Sequence, residues 1–180
     1  TLLNLISLID KPSSGLIKVE TLTIDDNDSD QKDTIRSKKI GIIYQDKNLL
    51  SDFTTLENVY MARLSMSNNR KKAIMDAKSL IKKVGLEKRL DHFPSELSGG
   101  ESQRVAISRA LINSQDIILA DEPTGNLDLK NATEIFKLLF SLKNKKRIII
   151  FATHNRYFAD MSDCKLSLIN GKVNTVNARN

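Results

Sequence analysis

Several side chains in this sequence have types and positions suited to phosphate chemistry. In Leu97-Ser98-Gly99-Gly100-Glu101 a Ser and a Glu stand at the spacing of a reciprocal helix cap,. The two glycines leave backbone N–H groups accessible at that terminus, and the helix dipole adds positive potential, so the turn can receive an anion. On its own the same run is equally a plain capped helix. Ile117-Ile118-Leu119-Ala120-Asp121-Glu122 is an apolar strand ending in two carboxylates. Such a strand delivers Asp121 and Glu122 to the C-terminal edge of a sheet, where open α/β sheets bind ligands. Asp121 suits Mg²⁺ held through its water shell, and Glu122 suits the polarising of an attacking water. The plain alternative is an acidic turn before Pro123.

His154 follows the apolar run 148–153 and reaches the same edge. There it could bond a terminal phosphate or the attacking water; taken alone it reads first as a capping or surface His. Gln45 stands at the end of the run 40–44. A neutral side chain so placed can reach Mg²⁺ or orient a nucleophile, although a lone Gln means little. His92 has no partner in sequence and reads as structural.

The elements that must position these groups follow from periodicity. Thr1 to Ile9 has helical spacing of Leu2, Leu5, Ile6 and Ile9,, ended by Lys11-Pro12-Ser13-Ser14-Gly15. Leu16 to Ile24 alternates as one strand, and the acidic stretch 25–33 reads as a loop. Ile40 to Tyr44 is a short strand. Thr54-Thr55-Leu56-Glu57 is a capping box opening a helix. A second helix carries Ala73, Ile74, Ala77, Leu80, Ile81 and Val84 on one stripe, with Gly85 as its C-terminal cap,. A further helix starts near Ser98, the stretch 130–142 is an amphipathic helix, and 147–153 is a buried strand. Apolar strands alternating with helices imply a parallel sheet covered on both faces. Asn170-Gly171 between two apolar runs marks a hairpin,. The fold class expected is therefore α/β in a single domain over 1–180, with an inserted helical subdomain at 52–96.

Composition narrows the function classes. With 28 Lys+Arg against 22 Asp+Glu the net charge is +6, which suits nucleic acid or an anionic surface. The basic residues are scattered, however, and a solvated surface is the simpler reading. The single Cys164 excludes an internal disulfide,. No apolar run approaches the roughly 20 residues of a membrane span, and no secretory pattern opens the sequence.

Taken together, these motifs identify a resemblance to the ABC ATPase family, with its P-loop NTPase-like core. Leu97 to Glu101 resembles the ABC signature, Ala120-Asp121-Glu122-Pro123-Thr124 the Walker B segment, and Gly125-Asn126-Leu127-Asp128 the D-loop. Gln45 resembles the Q-loop glutamine and Thr153-His154 the switch histidine. The order and separations fit over essentially the whole chain. The resemblance implies ATP and Mg²⁺ as ligands. It implies Glu122, His154 and Gln45 as catalytic residues, and Asp121 with Gln45 at the metal. It further implies that Ser98, Gly99, Gly100, Glu101 and Asp128 serve a nucleotide held across a head-to-tail pair of ATPase subunits. Membrane-embedded subunits would dock on the region 45–96, with the chain peripheral on the cytoplasmic face of the inner membrane and no nucleic acid as partner. Gly-Asn-Leu-Asp after Pro-Thr resembles the branch serving lipoprotein release, macrolide export and cell division. Asp52 to Val59 looks most like the lipoprotein-releasing type.

One motif of the family does not occur. The seven glycines are Gly15, Gly41, Gly85, Gly99, Gly100, Gly125 and Gly171, and none belongs to a Gly-x-x-x-x-Gly-Lys-Ser/Thr loop. The stretch from Thr1 resembles the helix that directly follows such a loop, as though the break fell inside the motif. The adenine-stacking aromatic and the first strands are likewise not in these residues. The expectations are a hole in the sheet, exposed apolar faces, and a polypeptide that by itself hydrolyses ATP poorly or not at all. Two other readings stay open: a non-enzymatic truncated remnant, and an ABC ATPase acting on nucleic acid or ribosomes.

Overall fold

A computed structural model describes residues 2–178. The first helix, α1 (Leu2–Ile6), is shorter than its apolar spacing suggests. Ser7 turns its hydroxyl onto the Asn4 carbonyl at 2.9 Å, and Leu8 takes a left-handed φ of +61°, which ends the helix before Ile9,. Thr1, expected to open this helix, lies outside the described residues. The single strand expected over 16–24 is instead a small antiparallel hairpin, β1 (Lys18–Val19) and β2 (Leu22–Thr23). Glu20 makes the turn between them at φ +56°. The acidic loop expected at 25–33 also needs correction, because α2 (Ser29–Lys39) begins inside it. Asp28 caps that helix, its carboxylate accepting from Gln31 N–H at 2.8 Å,.

The next elements match their sequence signals. Strand β3 (Ile40–Ile43) leads into the segment with Gln45. Helix α3 (Thr55–Leu64) opens on the reciprocal box of Thr54 and Glu57. Helix α4 (Arg70–Lys83) buries Ala73, Ala77 and Ile81, and Gly85 closes it at φ +77°,. Two single 3-10 turns, at Glu87–Arg89 and Pro94–Glu96, lead to α5 (Gly99–Leu111). Then follow β4 (Ile117–Asp121), α6 (Leu129–Ser141) and β5 (Ile148–Ala152). A short helix without a periodic signal, α7 (Arg156–Asp160), precedes the ribbon of β6 (Cys164–Ile169) and β7 (Lys172–Ala178). Asn170 and Gly171 turn that ribbon with φ of +49° and +74°, as a primed two-residue turn demands.

The central sheet is parallel, in the order β3-β4-β5. Side chains alternate across it. Ile118 and Ala120 of β4 join Ile107, Ala110 and Leu111 of α5 and Ile135 and Leu139 of α6 on one face. Leu119 turns the other way, to Leu8, Ile24, Ile35 and Ile40. Both faces are thus covered, as the apolar runs predict. The expected hole does not fall between these strands, which are contiguous. β5 forms one edge of this sheet, and Ile148 at its start is 59% exposed. Helix α5 belongs to two cores at once: its Val105 packs with Val59, Tyr60, Ala77 and Ile81 of the helical region. A Cβ on Gly41 would lie 2.2 Å from the Ala110 carbonyl oxygen. Only glycine therefore lets α5 rest directly on β3.

Candidate functional site

Two strand ends and the turn after β4 build an open cleft of about 600 Å³, lined in part by Gln45, Glu122, Thr124, Gly125, Thr153 and His154. Glu122 follows the last residue of β4 and takes a left-handed φ of +41°. That conformation is uncommon for a residue with a side chain and persists only where neighbours enforce it. Here the Glu122 N–H donates to the Ala152 carbonyl at 3.0 Å. The turned backbone aims the carboxylate at the end of β5. Oε1 accepts from the His154 N–H at 2.7 Å, and Oε2 from the Thr153 hydroxyl at 3.3 Å. The His154 imidazole lies 3.8 Å from the same carboxylate and is fully exposed to solvent. Gln45 enters from the β3 side, its amide nitrogen 3.0 Å from where a Cβ on Gly125 would stand.

Asp121 is not part of this cleft. Adjacent strand residues point to opposite faces, and Asp121 borders a separate hollow with Leu3, Asn4, Ser7, Ile42 and Tyr44.

The glycine pair lies at a second place, on the N-terminus of α5. Ser98 Oγ accepts from the Glu101 N–H at 3.2 Å, and the Ser98 N–H donates to Glu101 Oε2 at 2.8 Å. Arg89 Nε donates to the other Glu101 oxygen at 2.8 Å. The Arg89 guanidinium, and after it the Ser98 N–H, hold the Glu101 carboxyl down at about 2,. Arg89 also meets the His92 ring at 3.1 Å, while the His92 carbonyl accepts from the Thr55 N–H and hydroxyl. Neither residue faces the cleft.

The segment 125–128 joins the two places. Gly125 lies against Gln45, and the Leu127 side chain comes within 3.2 Å of a Cβ on Gly99. Asp128 caps α6, accepting from the Asn131 N–H at 3.0 Å and from its side-chain amide at 2.5 Å. The Asn131 N–H, chief among its donors, lowers the Asp128 pKa. A Cβ on Gly100 would stand 2.6 Å from Asn131 Oδ1, so two capped helix ends sit side by side.

The structure therefore brings Gln45, Glu122 and His154 together. It places Ser98, Gly99, Gly100, Glu101 and Asp128 in a neighbouring group, and Asp121 apart from both. Sequence reasoning missed Arg89 and Arg109. For Arg109 a signal exists: in the helical run 105–112, Val-Ala-Ile-Ser-Arg-Ala-Leu-Ile, it is the one charge among apolar residues. Charges so placed are normally paired.

A parallel sheet with an acid, a His and a Gln at its C-terminal edge, beside a capped Ser-Gly-Gly helix, is the arrangement that the resemblance to ABC ATPases implies. Comparison with known proteins agrees. A family model described as ABC transporter matches residues 1–125. The lipoprotein-releasing system ATP-binding protein LolD of Rickettsia bellii is 46% identical over 175 residues, covering 97% of this chain and 77% of that protein. Its counterpart in Shewanella oneidensis is 43% identical over 172 residues, with 95% and 75% covered. The dimeric structure of the ATP-binding cassette MJ0796 in a post-hydrolysis state, bound to ADP and Pi, superposes with a TM-score of 0.84. It is 33% identical, and the match covers 98% of this chain and 80% of that one. The chain belongs to the ABC transporter family of ATP-binding subunits.

Proposed function

We propose that these residues serve in the ATP-hydrolysing subunit of a membrane transporter that releases lipoproteins from the inner membrane. The observation that carries the ATPase reading is the Glu122 carboxylate, anchored by His154 N–H beside Gln45 in the open cleft. The LolD relatives support the cargo. Glu122 is the group that takes up or polarises the proton of the attacking water. The exposed imidazole of His154 is free to meet a terminal phosphate. Asp121 and Gln45 are the residues implied for Mg²⁺, and each carries a hard oxygen donor; Asp121 borders a different hollow from Gln45, so the two do not form one site in this structure. A bound Mg²⁺ would supply neutralisation of phosphate charge.

Ser98 and the Gly99–Gly100 amides lie outside the cleft lining. That placement supports their serving a nucleotide held by a second copy paired head to tail, with Glu101 fixing the cap and Asp128 linking the two sites. Residues 52–96 form the helical subdomain, and 45–96 is the surface for the membrane subunits. No helix among the described residues is long and apolar enough to cross a membrane. Attachment to the cytoplasmic face is assigned to those partners.

The Gly-x-x-x-x-Gly-Lys-Ser/Thr cradle, whose amides and Lys hold phosphates, is not among the 180 residues. ATP turnover is therefore expected from a polypeptide that also carries this loop upstream, and not from these residues alone. The test compares both, with Glu122→Gln in the longer form. Loss of about 100-fold or more in kcat for the substitution supports the assignment. Turnover by the 180 residues alone, or full activity of the variant, refutes the corresponding part.

A further inference from the structure

We infer that Arg109 is a positioning residue for Gln45, gripping the chain just beyond it and tying it to the helix that begins at Ser98. Arg109 Nη2 donates to the Lys47 carbonyl at 2.6 Å and Nη1 to the Asn48 carbonyl at 2.5 Å. These partners lie 62 and 61 positions away in sequence. Lys47 and Asn48 both hold left-handed backbone, with φ of +45° and +48°. Neither is glycine, so the pair is disfavoured unless something holds it. Two successive residues in one helical sense turn their carbonyls the same way. A planar guanidinium spans such a pair with parallel N–H groups, whereas an ammonium acts as a point charge.

Arg109 makes no ion pair with a carboxylate among the described residues, and burial lowers its pKa. A cation so desolvated is costly to keep for packing alone, yet its guanidinium is spent on the backbone of one turn. That turn also closes on itself. Lys47 N–H donates to the Tyr44 carbonyl at 3.3 Å, and Asn48 N–H to the Asp46 carbonyl. Fixing the carbonyls of 47 and 48 therefore fixes the backbone of 44–46, and with it the stem of Gln45. At the other end of the link, Ala110 lies against Gly41. The root of the Arg109 side chain is thus immobilised on β3, and a shift of α5 is passed to Gln45 with little slack.

This inference rests on the ATPase reading above, and its test separates the two. Arg109→Ala, Arg109→Lys and Gln45→Ala are made in the loop-containing chain assembled with its membrane subunits. Arg109→Ala is expected to lower kcat about tenfold with KM for ATP nearly unchanged. Arg109→Lys, whose single nitrogen cannot match the two-nitrogen fork, recovers part of the loss. In the Gln45→Ala background Arg109→Ala adds less than about twofold. Amide exchange in 45–49 is expected to rise about tenfold in Arg109→Ala while α4 is unaltered. Equal losses in both backgrounds, or unchanged exchange at 45–49, overturn the inference. If Arg109→Ala unfolds, Arg109→Lys decides, and wild-type kcat and exchange in that variant overturn it. A wild-type assembly without ATPase activity refutes the functional reading, and the exchange measurement still judges the grip.

Discussion

Replacing Glu101 by Gln removes the charge from the cap of α5 while keeping its shape. In the structure the carboxylate receives Arg89 Nε and the Ser98 N–H, each at 2.8 Å, and only 18% of its side chain is exposed. Its pKa falls from an ordinary 4.5 to about 2. At ~1.36 kcal/mol for each tenfold in affinity for the proton, that difference sets a ceiling of ~3 kcal/mol. Arg89 is 43% exposed, so solvent screens the pair, and about 1–2 kcal/mol is the expected worth. The sign follows from the direction of the shift. The folded protein holds the carboxylate charged where the unfolded chain already takes up a proton. The contribution is therefore whole above about pH 4.5, roughly halved near pH 3 and gone close to pH 2. Urea unfolding of wild type and Glu101→Gln at these acidities isolates it, because other acid effects cancel in the difference. A gap of about 1–2 kcal/mol near neutrality that shrinks on acidification supports the reasoning. A gap independent of pH, or no gap near neutrality, refutes it.

Gly41→Ala is expected to cost ~3 kcal/mol, because its Cβ would lie 2.2 Å from a backbone oxygen and 2.9 Å from Ile118 Cδ1,. A fall in Tm of about 6–12 °C by calorimetry checks this, and an unmoved Tm contradicts it. Gly100→Ala meets only the Asn131 side chain, with Oδ1 at 2.6 Å and Cγ at 3.1 Å, and that side chain can swing away. Stability is expected to drop by less than ~1 kcal/mol, while ATPase activity falls because the Asp128–Asn131 pair is disturbed; a Tm loss as large as that of Gly41→Ala would contradict this. Asn58 is 2% exposed and gives its amide to the carbonyls of Leu50, Phe53 and Thr54 while accepting from the Leu50 N–H. Asn58→Ala removes the side-chain partners of the Phe53 carbonyl and the Leu50 N–H, while the Leu50 and Thr54 carbonyls keep backbone donors; it is expected to cost about 1–3 kcal/mol in chemical denaturation.

The parts of this fold that were legible in the sequence are those where residue type is the cause. Continuous apolar runs became β3, β4 and β5. Thr54 with Glu57, and Ser98 with Glu101, made the boxes their spacing predicts. The failures fall where type matters less. Helix α2 buries only Ile35, so it carries no apolar stripe to read, and its start depends on the Asp28 cap. The hairpin at 18–23 turns at Glu20, a residue with no turn preference to announce it. In the site, the strand ends assembled Gln45, Glu122 and His154 as their positions suggest. The hold on Glu122 was invisible, because its main donor is a backbone N–H that any residue at 154 except proline would offer. Asp121 keeps the alternation of β4, whereas Glu122 leaves the strand at a left-handed φ of +41°, and the pairing of two adjacent acids in one motif obscures that difference.

The grip on Glu122 has a consequence for timing. A carboxylate offers about four lone-pair directions, and two are taken by groups at the end of β5. The remaining pair can receive a water without the acid letting go, so in the role proposed for Glu122 no side-chain swing would have to precede proton uptake. The acid behaves as a part bolted across two neighbouring strands rather than as a free arm. Any motion that slides β5 against β4 by a fraction of an ångström would retune the angle at which water is met. A signal arriving at the sheet would thereby reach the chemistry as a change of aim, with no element having to open or close.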